Sequence, residues 1–128
     1  MRHQIRHFQI SEFRCPCCSR VQVAVALVFW LDVLRRFIKA PLVVNSGYRC
    51  PMRNAQVKGA GSSRHLIGCA ADLRIPVGYT SESLLEVASR FVSENTWEIM
   101  AGSTYLHVGV PRTSESRLWH GENIIKFN

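Results

Sequence analysis

Residues 21–38 (VQVAVALVFWLDVLRRFI) form an apolar segment without glycine or proline, and this segment constrains the fold more than any other. It is too long for one strand and ends in basic residues before Ala40-Pro41, as helices often do. Its longest apolar run, residues 23–31, stops at Asp32, short of the about 20 residues that a membrane-spanning helix needs. We therefore expect a largely buried helix behind the core, and no membrane span.

Shorter segments downstream are typical of strands. LVVN (residues 42–45) is β-branched and leads into a glycine-bearing loop, residues 46–62, whose length is uncommon unless a loop is functional or disordered. AADLRI (residues 70–75) alternates, which places Asp72 on the face opposite Leu73. Thr80 or Ser81 can then cap an amphipathic helix. The apolar face of that helix comprises Leu84, Val87, Ala88 and Phe91.

Residues 97–100 (WEIM) and 104–110 (TYLHVGV) predict a β-hairpin. We expect its two-residue turn at Gly102-Ser103, because glycine suits a type II′ turn. The alternation of the second strand points Leu106, Val108 and Val110 inward and places Tyr105, His107 and Gly109 on the opposite face.

Composition limits the class of protein. A chain of 128 residues with 47% hydrophobic content suits a single domain, residues 1–128. The net charge of +7 predicts attraction to a polyanion, either nucleic acid or an anionic cell wall. Nucleic acid is the weaker expectation, because basic residues are not clustered with aromatic ones. Residues 1–10 lack the apolar core of a signal peptide, so we expect synthesis in the cytoplasm and a basic, partly mobile leader.

Five cysteines make an odd count, which favours a reducing compartment over a set of disulfides. Cys15, Cys17 and Cys18 with Cys50 offer a possible structural zinc site. The crowded C-P-C-C run does not resemble an ordinary zinc knuckle, however, and the sequence favours no such site. Cys69 is expected to pack as a small hydrophobic residue.

His65, Asp72 and His107 are the residue types that a catalytic zinc takes as its three protein ligands. A lone histidine in a strand is more often a surface or hydrogen-bonded residue than a metal ligand. The sequence around the three residues favours the metal.

Ser63, His65, Gly68, Ala70 and Asp72 complete an S-x-H-x-x-G-x-A-x-D motif. SGYR precedes this motif at residues 46–49, and a Tyr-x-His strand and an R-x-W (residues 117–119) follow it. The chain thereby resembles the zinc D-Ala-D-Ala carboxypeptidase and murein endopeptidase family, whose fold is shared with the hedgehog signalling domain, and especially its small phage-type members. The likeness runs from about Ser11 to Trp119.

The resemblance implies an α+β fold in which a small antiparallel sheet carries the metal and packs against helices. It implies that His65, Asp72 and His107 bind Zn²⁺ and that Arg49, with Tyr48 and Ser63 beside it, holds a substrate carboxylate. The implied activity is hydrolysis of peptide bonds next to D-amino acids in peptidoglycan stem peptides at the bacterial cell wall, as in a phage lytic enzyme.

One departure from the family concerns the general base. Relatives commonly carry an acidic residue three before or two after the third zinc ligand, and these positions are Thr104 and Gly109 here. With a turn at Gly102-Ser103, Glu98 would lie directly across from His107, so we predict Glu98 as the base. The alternatives are a solvated glutamate, a residue that orients His107, or a zinc-binding module that binds peptidoglycan or another partner without catalysis.

Overall fold

The computed structural model describes residues 2–92 and 95–126. The described residues form three α-helices, namely Val25–Ile38 (α1), Pro51–Gln56 (α2) and Ser81–Ser89 (α3). The strands are Arg2–Gln4 (β1), Val44–Ser46 (β2), Ala70–Arg74 (β3), Glu98–Ala101 (β4), Tyr105–Gly109 (β5) and Ile124–Lys126 (β6). Short 3₁₀ helices span Ile10–Phe13, Arg64–Ile67 and Arg112–Ser116. The fold is α+β, as expected, and none of the described helices has the length and apolarity to cross a membrane.

Helix α1 begins at Val25, later than predicted. Ala24 is extended, and Val23 precedes it outside the helix, because the backbones of distant segments bind both residues. The Ala24 N–H donates to the Gly68 carbonyl (2.9 Å), and the Val23 carbonyl accepts from the Trp119 N–H (2.8 Å). Local hydrophobicity does not reveal such long-range pairing, so the helix prediction extended too far toward the N-terminus.

Asp32 lies in the middle of α1 and is fully buried. Its Oδ1 accepts hydrogen bonds from the backbone N–H groups of His7 (2.9 Å) and Arg6 (3.2 Å), and its Oδ2 lies 3.1 Å from Nη2 of Arg36. A buried carboxylate is stable only with such partners. These contacts tie the N-terminal segment to α1.

The N-terminal segment, predicted to be a partly mobile leader, contacts the core. Ile5 and Phe8 are buried at 2% and 5% exposure, and β1 pairs with β6 in a separate two-stranded antiparallel sheet. Burial of these apolar side chains, together with the hydrogen bonds to Asp32, holds the segment against the core.

The main sheet has the strand order β2-β3-β5-β4 with antiparallel pairs. One face packs on the helices and is formed by buried apolar side chains: Ala71, Leu73, Leu106 and Val108. The opposite face carries Asp72 and His107. The alternation predicted for both strands is confirmed, and the polar face holds the site described below.

Helix α3 begins where the sequence predicted. Thr80 and Ser83 form a reciprocal cap, in which each side-chain oxygen accepts the other residue's backbone N–H at 3.0 and 2.8 Å. Leu84 and Ala88 are fully buried, and Val87 and Phe91 pack at the margin of the same core.

The β4–β5 hairpin differs from its prediction in register. Gly102 pairs with Tyr105 through a 2.8 Å backbone hydrogen bond, so the turn lies at Ser103-Thr104 instead of Gly102-Ser103. Met100 therefore lies opposite His107, and Glu98 lies opposite Gly109. This shift by two residues along β5 keeps Glu98 on the face of His107, since the side-chain period of a strand is two.

Residues 46–62, expected to be a long loop, contain α2. Cys50 caps this helix, with its Sγ accepting the Arg53 N–H at 3.4 Å, and Pro51 occupies the first helical position. Proline suits that position because its fixed φ is helical and its missing N–H has no partner there. Strand β2 also starts later than expected, at Val44.

Candidate metal centre

Asp72 and His107 face each other across β3 and β5 as directly paired residues. Nδ1 of His107 lies 2.8 Å from Oδ1 of Asp72. The side chains are 13% and 16% exposed, so the pair is reachable from solvent but mostly enclosed. The antiparallel register alone brings Asp72 and His107, two of the three predicted ligands, together.

His65 reaches the same point from the 3₁₀ helix Arg64–Ile67. Ser63 caps this helix, and its Oγ accepts the His65 N–H at 3.2 Å. Gly68 ends it in the left-handed region at φ 75°, and a Cβ there would lie 2.3 Å from the Gln22 carbonyl oxygen. The serine and the glycine of the motif thus fix the position of the histidine between them.

The His65 ring is 2% exposed and has one nitrogen without a hydrogen-bond partner. Nδ1 lies 2.7 Å from the Gly47 carbonyl oxygen and must carry the proton, because a carbonyl only accepts. Nε2 is buried without a hydrogen-bond partner, and it lies 3.3 Å from Oδ1 of Asp72. A buried ring nitrogen that faces a carboxylate in this way is an arrangement that a bound metal ion would satisfy.

One ligand atom from each of His65, Asp72 and His107 lies within 4.8 Å of the other two. Two imidazoles and a carboxylate form a donor set that suits zinc, with a fourth position left for water or substrate. The residues present therefore fit a zinc ion.

Asp72 and His107 shift each other's pKa. Burial raises the pKa of Asp72, but the hydrogen bond with His107 and the approach of His65 outweigh it and hold this pKa well below its usual range. Burial lowers the pKa of His107, but contacts with Asp72 and Glu98 outweigh it and raise that pKa. The site therefore favours a positive charge next to an ionised Asp72. Either a proton or a metal ion can supply this charge.

Arg49 is held beside Asp72 by several partners. Its Nη2 lies 3.2 Å from Oδ2 of Asp72, Nε donates to Oγ of Ser46 at 3.1 Å, and Nη1 donates to Oδ1 of Asn54 at 3.4 Å. Its backbone N–H donates to the His65 carbonyl at 3.1 Å. This arrangement presents a cation, 14% exposed, beside the three candidate ligands.

Glu98 contacts the outer side of His107. Its Oε1 lies 2.9 Å from Nε2 of the histidine, and its Oε2 lies 3.3 Å from Nε of Arg64. Arg64 is itself fixed, since its Nη1 donates to the carbonyls of Thr96 (2.6 Å) and Val110 (3.0 Å). The two nitrogens of His107 thus face two different carboxylates.

An open cleft of about 340 Å³ lies over this polar face. It is lined by Arg49, Gly59, Ala60, Ser63, His65, Asp72, Met100, Tyr105 and His107.

A family model described as Peptidase M15 matches residues 6–109 of the chain. The chain belongs to the Peptidase M15 family. This is a zinc-dependent family of the D-Ala-D-Ala carboxypeptidase type, so the resemblance read from the motifs is confirmed. The match spans His65, Asp72 and His107 and ends at Gly109. No curated protein matches the chain.

Five of the residues predicted for this M15 site line the cleft together: Arg49, Ser63, His65, Asp72 and His107. Glu98 touches His107 but does not line the cleft. Tyr48 is buried at 8% exposure and packs with Cys15 and Cys50. Thr104 lies in the hairpin turn and lines a different surface depression.

Some residues of the site were missed by the sequence analysis. Ser46 and Asn54 hold Arg49, Arg64 holds Glu98, and Met100 and Tyr105 complete the wall of the cleft. Tyr105 could have been found, because it shares the outward face of β5 with His107. No sequence pattern indicated Asn54, because its role depends on helix α2, which was not predicted.

Proposed function

We propose that this M15 protein is a zinc peptidase that hydrolyses peptide bonds next to D-amino acids in bacterial peptidoglycan. The observation that carries the proposal is the buried, unpartnered Nε2 of His65, which converges with Asp72 and His107. His65, Asp72 and His107 would hold the zinc. When bound, a zinc ion lowers the pKa of its water toward 7 and polarises the scissile carbonyl.

Arg49 is proposed to bind a carboxylate of the stem peptide. A guanidinium can donate two parallel hydrogen bonds to a carboxylate, and Arg49 lines the cleft next to the proposed metal position. Ser63 lines the cleft nearby and is proposed to donate its hydroxyl to the same group. Tyr48 remains a predicted substrate residue, and its burial directly before Arg49 supports an effect through the position of that arginine.

Glu98 is proposed to accept the proton of the attacking water. Its carboxylate is on the face of the site, 37% exposed and paired with Arg64, and it contacts His107. To act as a base it must exchange the contact with His107 for one with the water, because Glu98 does not line the cleft. Retaining that contact would instead make Glu98 a residue that orients His107.

A second candidate function is a zinc-binding module that holds peptidoglycan without cleaving it. The observation that favours it is the composition of the cleft, since Asp72 is the only acidic residue among the described residues that line it. If Asp72 binds the metal, no carboxylate is left in the cleft to accept a proton. This candidate differs from the first only in turnover.

We place the site of action at the bacterial cell wall, in line with the family, and extend the proposal to a phage lytic enzyme. The net charge of +7 supports attraction to anionic wall polymers. Such attraction should weaken as added salt screens the charges.

The deciding experiment combines zinc analysis with peptidoglycan digestion. The zinc-loaded protein is incubated with purified peptidoglycan, and the released products are identified with and without a chelator. Chelator-sensitive release of D-alanine would indicate a carboxypeptidase, and release of larger peptides would indicate an endopeptidase. Bound zinc and bound peptidoglycan without release would replace the enzyme with the binding module. Absence of zinc at the His65 site would overturn both.

A further inference from the structure

A second group of metal-ligand side chains lies outside the cleft. The Sγ atoms of Cys15, Cys17 and Cys50 lie within 4.8 Å of one another, and those of Cys17 and Cys50 are 3.4 Å apart. Cys18 directly follows Cys17 in the sequence. The four thiols are free, and 3.4 Å far exceeds the about 2.05 Å of a disulfide bond.

The backbone of residues 15–20 folds back on itself around these sulfurs. The Cys15 N–H donates to the Arg20 carbonyl (2.8 Å), and the Cys15 carbonyl accepts from the Ser19 N–H (2.9 Å). Ser19 adopts the left-handed conformation at φ 63°, which closes the turn. Within this turn, the sulfurs of Cys15 and Cys17 lie close to that of Cys50.

A backbone N–H group donates to one of these sulfurs. The Sγ of Cys50 accepts the Arg53 N–H at 3.4 Å. Hydrogen bonds of this kind stabilise thiolates, and the thiolate is the form that binds a metal.

We propose that Cys15, Cys17, Cys18 and Cys50 bind a second, structural zinc ion. Four cysteine sulfurs are a common donor set for a structural zinc, which is four-coordinate and leaves no open position. The expectation against such a site overlooked that Cys15 and Cys18 enclose only Pro16 and Cys17, which is the C-x₂-C spacing of zinc knuckles.

This second zinc would hold the segment that builds the cleft. Cys50 directly follows Tyr48 and Arg49, and the buried Tyr48 side chain packs against Cys15 and Cys50. The Tyr48 N–H donates to the Phe13 carbonyl at 2.9 Å, which adds a backbone link between the same two segments. A metal joining residues 15–18 to Cys50 therefore fixes Arg49 without touching the substrate.

The test is metal stoichiometry, which is independent of peptidase activity. Protein prepared under reducing conditions should contain about two zinc ions per chain. His65→Ala should keep the cysteine-bound ion, and Cys17→Ser with Cys50→Ser should keep the ion at His65. Cys69→Ala is the matched control, because Cys69 is a buried thiol outside the cluster, and it should keep both ions.

Two measurements on the unmutated chain keep the test valid if a variant fails to fold. A thiol-specific mercurial should release about one of the two zinc ions. Replacement of zinc by Co²⁺ should give intense sulfur-to-cobalt charge-transfer absorption, which histidine and aspartate ligands do not produce. A single zinc that is lost in His65→Ala and absent from the mercurial titration would overturn the inference. A disulfide between Cys17 and Cys50 in freshly reduced and zinc-supplied protein would do so as well.

The second zinc and the proposed function can be tested separately. If the protein is not a peptidase, His65→Ala should still contain the cysteine-bound ion. If the cysteines bind no zinc, the ion at His65, Asp72 and His107 should still be present.

Discussion

The carboxylate of Glu98 occupies the space that a side chain at Gly109 would need. The two residues are paired across β4 and β5, and a Cβ built on Gly109 would lie 2.8 Å from Oε1 of Glu98. Gly109 is one of the positions at which the resemblance to the family predicts an acidic residue. This chain therefore places a carboxylate in the same region from the neighbouring strand, and the missing side chain at Gly109 makes room for it.

Glu98→Gln tests whether this carboxylate is the general base. We expect hydrolysis to fall by about 10²-fold or more at unchanged zinc content, because the amide can still accept a hydrogen bond from His107 but cannot take a proton. Hydrolysis rate and zinc content are measured on the same preparation.

Glu98→Ala separates the base from a residue that orients His107. If Glu98 only orients the ring, the glutamine variant keeps the wild-type rate, and alanine lowers zinc affinity or activity by about 10- to 100-fold. A wild-type rate in Glu98→Gln would remove the base assignment. Glu86→Gln, a change on the exposed side of α3, is the matched control and should alter neither quantity.

Removal of the zinc at His65 should destabilise the fold as well as the site. This ion would join the 3₁₀ helix Arg64–Ile67 to β3 and β5, so His65→Ala should lose about one zinc per chain and part of the folding free energy. With free zinc about 100-fold above Kd, the melting temperature should drop by roughly 8 °C or more, as measured by thermal unfolding with and without zinc.

His120→Ala is the control for this prediction, since His120 is exposed and outside both clusters of potential ligands. It should keep the zinc content and melting temperature of the wild type. A His65→Ala chain with unchanged zinc content would contradict the assignment of His65 as a ligand.

The sequence predicted the parts of the fold that depend on local pattern. Alternation in β3 and β5 placed Asp72 and His107 on one face, and the Thr80 cap located the start of α3. The register of β4 against β5 was wrong, because a slip by two residues leaves every side chain on its face. Hydrophobic pattern therefore did not distinguish Ser103-Thr104 from Gly102-Ser103 as the turn.

Long-range contacts account for the other differences. The non-helical conformation of Val23 and Ala24 depends on Gly68 and Trp119, which lie far away in the sequence. The cysteine cluster likewise depends on how α2 brings Cys50 to residues 15–18. Neither arrangement has a local signal, although the C-x₂-C spacing of Cys15 and Cys18 was available in the sequence.

Gly68→Ala should destabilise the protein by about 2 kcal/mol or more. The residue combines a φ of 75° with a Cβ position 2.3 Å from the Gln22 carbonyl oxygen, so both the backbone and the packing must change. Gly61→Ala is the matched control, because no atom lies within 4 Å of its Cβ position. Equal denaturation midpoints for the two variants would contradict this account of the motif glycine.

Arg49→Ala should weaken substrate binding more than it disturbs the metal. The variant removes a largely buried cation, and we expect a loss of about 2 to 5 kcal/mol in transition-state or substrate binding at unchanged zinc content. Arg49→Lys should recover only part of this loss, since an ammonium group cannot form the two parallel bonds of a guanidinium. The measurement is kcat/KM for a peptide with a free C-terminal carboxylate, alongside zinc analysis.

The same peptide with an amidated C-terminus identifies what Arg49 binds. The wild type should prefer the free carboxylate, and Arg49→Ala should lose that preference. Arg53→Ala changes a neighbouring arginine whose side chain contacts Gln56 on the exposed surface, so it controls for the loss of a positive charge and should keep the preference. An equal preference in wild type and Arg49→Ala would show that the pairing of Arg49 with Asp72, and not a substrate carboxylate, is the role of this arginine.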